Sequence, residues 1–203
     1  SVRCMTKIGA LLVAGGDDGK IGYSDDNGDT WTQASTPSFG TSSVRCMTVI
    51  GTRLIAGGAD GKIGFSNDNG NTWTQASTPS FSNTVYCMIV IGTRLVAGAS
   101  AGQIGFSDDN GDVWTQAATP SFGLNDVRCM IVLGDRIIAG GRRGTIGFSD
   151  DNGDVWIQAT TTSFSTSDYK YIYAMVHNGT RLVAGASTGQ IGFSDNGGDV
   201  WTQ

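Results

Sequence analysis

Arg3, Arg45, Tyr86, Arg128 and Tyr173 occupy one equivalent position of a recurring pattern, each just ahead of a Cys or Ala slot. Arg and Tyr are good interface anchors, so this set reads as a recognition surface. The turns that accompany it vary as well: Asp17-Asp18, Ala59-Asp60, Ser100-Ala101, Arg142-Arg143 and Ser187-Thr188. Arg142 and Arg143 therefore join the candidate set. The competing reading is that these side chains only cap the fold and pack on the next unit.

Catalytic chemistry is sparse. The single histidine, His177, replaces Val90 of an earlier repeat and has no evident Ser or Cys partner. No phosphate-binding loop or zinc spacing is present. Cys4, Cys46, Cys87 and Cys129 recur at one position, with Ala174 in the fifth copy, which suggests a small buried slot. Equivalent positions on neighbouring units are expected to lie beyond disulfide reach, so free thiols are expected. We expect no enzyme activity, no cofactor and no metal.

The residues that position this set belong to a second, sharper pattern. Ser24-Asp25-Asp26-Asn27-Gly28-Asp29-Thr30-Trp31 recurs from Ser66, Ser107, Ser149 and Ser194, at intervals of 41 to 45 residues. Self-similarity at such a period marks a repeat architecture. The shared positions are Ser24, Asp26, Gly28 and Trp31; Ser66, Asp68, Gly70 and Trp73; Ser107, Asp109, Gly111 and Trp114; and Ser149, Asp151, Gly153 and Trp156. In the last copy Ser194, Gly197, Gly198 and Trp201 remain, and Asn196 replaces the Asp. Asp, Asn and Gly tolerate left-handed backbone, so each copy reads as a hairpin turn. All five Trp residues occupy its last slot, where the ring can fold back as a packing lid. Asp and Asn oxygens could also hold Ca²⁺, but the glutamate and spacing of an EF-hand are missing.

The pattern S-x-D-x-G-x-x-W resembles the Asp-box, or BNR repeat, of sialidases, sortilin-type receptors and photosystem-assembly propellers. The resemblance implies a structural hairpin between the third and fourth strands of a propeller blade. Weaker internal bonding is expected in the fifth copy. A sialidase would also need a clustered Arg triad, a Tyr nucleophile and six blades. Here there are five repeats, and Arg53, Arg94, Arg136 and Arg181 recur at a predicted turn, as structural residues do.

Around each hairpin the chain reads as four short strands with no helix between them. In the first repeat these are Val2 to Ile8, Leu11 to Gly15, Lys20 to Ser24 and Trp31 to Ser35. Thr36-Pro37-Ser38-Phe39 then leads to the next repeat. Pro37 marks the end of pairing, because it cannot donate a ladder bond, and Phe39 is placed to plug the gap between units. The fold class is all-β: a five-bladed β-propeller, each blade a four-stranded antiparallel meander of about 42 residues. One domain spans 1–203, with blades at 1–42, 43–83, 84–125, 126–170 and 171–203. An open β-solenoid, or a longer ring, would use the same pattern.

Composition narrows the partners. The net charge is −5, so no basic footprint for nucleic acid appears. No apolar run approaches a membrane span, and no signal peptide is evident. Gly is 31 of 203 residues, which suits many tight turns. The expected function is non-enzymatic binding: first a multivalent, lectin-like module for glycans, by analogy with five-bladed lectins whose motifs are not present here. The alternative is a structural or docking propeller that binds a protein surface in a virion or cell-surface assembly.

Overall fold

Each repeat folds into its own antiparallel sheet. The computed structural model describes every residue except 36–37, 78–80, 119–121, 161–163, 165–166, 168 and 203. Pro37 and Thr162, and with them the expectation that Pro ends the pairing, lie outside the described residues. The chain divides into two units, Ser1–Leu95 with Ser107–Thr115, and Val96–Phe106 with Gln116–Gln203.

In the first unit, β1 (Val2–Ile8), β2 (Leu11–Gly16), β3 (Ile21–Ser24) and β4 (Thr32–Gln33) pair in chain order. β5 (Val44–Ile50), β6 (Arg53–Gly58), β7 (Ile63–Ser66) and β8 (Thr74–Gln75) repeat that order. The third repeat supplies β9 (Val85–Ile91), β10 (Arg94–Ala99), β11 (Ile104–Ser107) and β12 (Thr115–Gln116), again in order. In the second unit, β13 (Val127–Leu133), β14 (Arg136–Gly141), β15 (Ile146–Ser149) and β16 (Ile157–Gln158) form a fourth sheet. The fifth holds β17 (Ile172–His177), β18 (Leu182–Ala186) and β19 (Ile191–Ser194). Five such meanders are the blades of a β-propeller.

Two details differ from the sequence reading. The fourth strands are two residues long rather than five, because Ala34 returns one further backbone bond to Ile21 and Ser35 then bonds Asn71 of the next repeat. In the fifth sheet the fourth strand is an isolated bridge, Phe193 to Thr202, so that blade has three strands among the described residues.

The eight-residue turn is built as its residue types demand. The Ser24 hydroxyl donates to Asp26 Oδ1 at 2.7 Å and accepts the Gly28 N–H at 2.8 Å. Asp26 Oδ1 accepts the Thr30 N–H at 2.9 Å, and Trp31 Nε1 donates to the Gly28 carbonyl at 3.1 Å. Asn27 and Gly28 stand at φ 62° and 100°, the left-handed region where Asn and Gly are least strained. In the fifth copy Asn196 Oδ1 accepts from Ser194 and from the Val200 N–H at 2.8 and 3.0 Å. The geometry is therefore kept with a neutral acceptor, and what the substitution removes is the charge.

Neighbouring repeats in a unit are joined by a wedge. Phe39 is fully buried and meets Trp73 edge-on at 6.4 Å. Phe81 meets Trp114 at 5.9 Å, also in the first unit. In the second unit Phe122 meets Trp156 at 6.3 Å and Phe164 meets Trp201 at 6.2 Å. Burying a Phe side chain contributes about 1.5–3 kcal/mol, and such an aromatic pair adds about 0.5–1.5 kcal/mol.

The Cys slot faces the next repeat. The Cys46 thiol lies 3.7 Å from the Gly57 carbonyl oxygen and 4.0 Å from that of Val85. Cys129 meets the Gly140 and Ile172 carbonyl oxygens at 3.7 and 3.6 Å. Burial pushes the Cys129 thiol up to about 12 and Cys46 higher still. A Cβ on Gly57 or Gly140 would lie 2.8 or 2.6 Å from a side-chain carbon of the next repeat, which fixes these positions as Gly.

Ser66→Ala strands the buried Gly70 N–H and should cost about 1–3 kcal/mol in urea unfolding. Asp68→Asn should cost less than Asp68→Ala, because Asn196 keeps the bonds to the Ser hydroxyl and the backbone N–H, and only the Thr72 hydroxyl would lose its acceptor.

For acid, hydrogen bonds from the Thr30 hydroxyl, the Thr30 N–H and Ser24 hold the Asp26 carboxyl down at about 2. For Asp68, burial acts upward, but bonds from Thr72 and Ser66 outweigh it, and the group is lowered. A folded value below the unfolded one of about 4 gives stability that is complete above pH about 4. It is lost as pH falls below about 4 through the folded value. Urea midpoints at pH 5 and pH 3 should therefore differ by less in Asp68→Asn than in the parent.

Cys46 and Cys129 should resist iodoacetamide at neutral pH in the folded protein and react fully in urea, as read by mass spectrometry of peptides.

Candidate binding site

The candidate residues stand where the strands are irregular. In the first sheet Val2 pairs with Gly16 and Cys4 with Gly15, which leaves Arg3 as the extra residue of a β-bulge. Arg45, Arg128 and Tyr173 hold the same bulge in their own sheets. A bulge re-aims one side chain away from the regular alternation. Beside it lies a short 3₁₀ turn whose second residue is left-handed: Asp18 at φ 57° and Asp60 at φ 57°. Arg143 takes the same conformation at φ 57°. For an arginine this costs about 1–2 kcal/mol.

In the first unit Arg3 is neutralised. Its Nε and Nη2 reach the two oxygens of Asp17 at 2.8 and 3.3 Å, and the Ser1 ammonium adds a contact at 3.0 Å. The Arg3 hydrogen bond is the largest of the effects that hold the Asp17 carboxyl far below its ordinary range. Arg45 is half-buried, and its Nε has no hydrogen-bond partner among the described residues. Tyr86 is half-buried on β9.

The second unit gathers the rest. Arg128 donates to Asp126 at 2.8 Å and lies over the Tyr171 ring at 4.7 Å. Tyr171 stacks on Tyr173 at 5.7 Å with an interplanar angle of 24°. Arg142 pairs with Tyr171 in an isolated β-bridge, and the Arg143 N–H donates to the Lys170 carbonyl at 2.6 Å. Tyr173 and Tyr169 are exposed at 57% and 85%. Arg128, Arg142, Arg143 and Tyr173 are thus brought together. Asp126, Lys170 and Tyr171 are members that comparison of equivalent positions missed. Their signal was local: Asp126 and Arg128 are two residues apart, and Tyr169, Tyr171 and Tyr173 alternate into β17.

The opposite turns are occupied by structure. Arg53 Nε donates to Asn67 at 2.8 Å, while its Nη1 reaches Asp112 at 2.7 Å and the Asn110 carbonyl at 3.1 Å. Arg136 ties Asp150 and Asp199 in the same way and lies over Phe148 at 4.2 Å. Arg181 pairs with Asp195 and covers Phe193. Arg53, Arg136 and Arg181 clip turn to turn and do not converge on one point within either unit. His177 accepts the Gly179 N–H at 3.1 Å on an exposed strand end. Among the described residues no three His, Cys, Asp or Glu side chains are grouped to hold a metal. No helix among them is long and apolar enough to cross a membrane.

Four-stranded meanders repeated along the chain define this protein as a β-propeller. Residues 6–132 match the DUF6242 beta propeller domain family, and the chain belongs to it. No curated protein matches the chain. Among solved structures, the computationally designed Ika8 protein is similar with a TM-score of 0.76 at 16% identity, over 100% of this chain and 61% of that one. YCF48, in a structure titled as bound to D1 peptide, gives 0.72 at 15% identity, over 100% and 66%. The extracellular domain of the putative one component system BT4673 from B. thetaiotaomicron gives 0.75 at 17% identity, over 96% and 26%. The chain spans less than two thirds of the length of each, and at these identities the likeness is one of fold.

The Asp126 carboxylate is the internal counter-ion of this cluster. Asp126→Asn should lower the unfolding free energy in urea by about 1–3 kcal/mol, because the largely buried carboxylate bonds both Arg128 and the Ala101 N–H, while increasing retention on a cation-exchange column at pH 7.

Proposed function

We propose that this domain is a non-enzymatic docking module that takes an acidic protein segment at the Arg128–Tyr171–Tyr173 cluster. The observation that carries this reading is Arg128 lying over a stacked Tyr pair, with the backbones of Arg142 and Arg143 bonded to Tyr171 and Lys170 beside it, in a chain of net charge −5. Carboxylates of a partner would pair with the guanidinium groups, and the exposed Tyr169 and Tyr173 would supply apolar contact area. The left-handed Arg143 supports it: the fold keeps an arginine where Asp or Gly would be less strained. YCF48, a protein of similar fold, is described with a bound peptide, which fits a peptide-docking role. We also read the eight-residue turn as an Asp-box, on its Ser-Asp-Gly-Trp bonding, and give it a structural role.

A glycan reading is favoured by one observation, the exposed Tyr173 face of the stacked pair, on which a sugar ring could lie. The multivalent form of that reading has less support. Its equivalent positions carry Arg3, Arg45 and Arg128, and Arg3 is already paired with Asp17. We place the glycan second.

The test is a displayed peptide library alongside a glycan array. Acidic peptides should bind one per chain and weaken as salt rises. Tyr173→Ala should reduce binding at least tenfold. Arg143→Gly should weaken binding while leaving stability equal or higher, because Gly relieves the left-handed strain. Array hits at several sites per chain, with no acidic peptide recovered, would replace this reading with a lectin.

A further inference from the structure

The fifth repeat lengthens the turn between its first two strands. Ile8 pairs with Leu11 and Ile50 with Arg53, but His177 pairs with Leu182, so Asn178 to Arg181 form the turn. Asn178-Gly179 is a dipeptide that can react with itself. The glycine nitrogen can attack the Asn side-chain carbonyl carbon, and glycine has no side chain to obstruct the five-membered ring that results. Both residues are exposed, and a Cβ on Gly179 would meet nothing within 4 Å. The Gly179 N–H donates to His177 Nδ1 at 3.1 Å, within reach of a general base. Asn178 Oδ1 accepts the Arg181 N–H at 2.9 Å, and the Thr180 N–H and hydroxyl at 3.2 Å each. Donors on that oxygen polarise the carbonyl and stabilise the charge that develops there.

The chain's other Asn-Gly pairs are held differently. Asn27-Gly28, Asn69-Gly70, Asn110-Gly111 and Asn152-Gly153 lie in the hairpins. There the glycine N–H donates at 2.8–2.9 Å to the buried hydroxyl of Ser24, Ser66, Ser107 or Ser149. Each hydroxyl already donates to an Asp carboxylate. That carboxylate is a very weak base, because its hydrogen bonds hold Asp26 down at about 2 and lower Asp68, Asp109 and Asp151 as well. In Asn196-Gly197 the amide oxygen is fixed by the Ser194 hydroxyl and the Val200 N–H at 2.8 and 3.0 Å. Among the described residues no base is bonded to the Gly197 N–H.

We propose that Asn178 is a modification site, deamidated spontaneously with His177 as the general base. His177 Nδ1 takes the Gly179 N–H proton as that nitrogen bonds to Asn178 Cγ. The tetrahedral centre then expels the side-chain nitrogen as ammonia, which carries off the proton held by His177. Water opens the resulting succinimide at either carbonyl and leaves aspartate or isoaspartate at position 178. The product places a new carboxylate beside Arg181, whose guanidinium bonds Asp195 at 2.6 and 2.7 Å, and so gives that arginine a second partner. The inference does not depend on the docking cluster.

The test incubates the folded chain at neutral pH and follows each Asn-Gly peptide by mass spectrometry, with isoaspartyl methyltransferase labelling to detect the rearranged backbone. Asn178 should convert at least tenfold faster than Asn27, Asn69, Asn110, Asn152 or Asn196. His177→Gln keeps a hydrogen-bond acceptor but supplies no base, and should slow Asn178 by about tenfold or more. Added imidazole should restore much of that rate. The hairpin Asn residues report folding in the same digest, because they would accelerate if the variant unfolded. Equal rates at Asn178 and the hairpin sites in the folded chain would overturn the proposal. So would an unchanged Asn178 rate in folded His177→Gln.

Discussion

Everything in this fold depends on a sheet that cannot bury its own face. A four-stranded meander of about 42 residues has too little interior to hold a core, so each blade must borrow apolar cover from its neighbour. The chain solves this with one device used repeatedly: a Phe carried on the connector is pressed edge-on against the Trp that ends the next hairpin. Phe39 on Trp73 shows the full arrangement, with glycines in the strands beneath the ring because no Cβ would fit. The hairpin must hold its Trp in place for this to work. The Ser-Asp-Gly hydrogen bonds of the eight-residue turn provide that rigidity.

The same constraint sorts the polar residues. On one side of the blades, arginines such as Arg53 and Arg136 connect successive hairpins through two carboxylate or amide partners each and cover a Phe ring. These charges are consumed by structure. On the other side, the bulge at the start of β1, β5, β13 and β17 releases one side chain from the ladder. That position is free to vary without disturbing the sheet, and it is where Arg and Tyr alternate. In the second unit the variation has produced an Arg and Tyr cluster in which Arg128 pairs with Asp126, while in the first unit Arg3 pairs with Asp17.

The sequence made most of the architecture legible because the repeat is self-describing. Five copies of one hairpin, one Trp per copy and no helical period leave few alternatives to stacked antiparallel blades. Strand boundaries were clear at Gly9-Ala10 and at the hairpins, where turn chemistry is strong. They were less clear after Trp31, where the fourth strand passes its backbone bonds to the next repeat instead of prolonging its own ladder. Asn196 illustrates the limit of motif reading: the missing carboxylate suggested a weaker turn, yet the amide oxygen accepts the same bonds.

What the sequence by itself determined is the blade: its strands, its hairpin, its buried Cys and Phe positions, and the variable position ahead of the Cys slot. Each follows from local residue chemistry repeated at a fixed period. Only the tertiary structure decided which of the equivalent residues differ in fact. Trp31 and Trp73 occupy the same slot of the same motif, but one is exposed and the other is buried under the edge of Phe39. Arg3 and Arg128 likewise share a position. Both pair with a carboxylate, and Arg128 also lies on a Tyr that the next repeat brings to it. Burial and charge pairing belong to the neighbour as much as to the residue, and a neighbour is a fact of three dimensions.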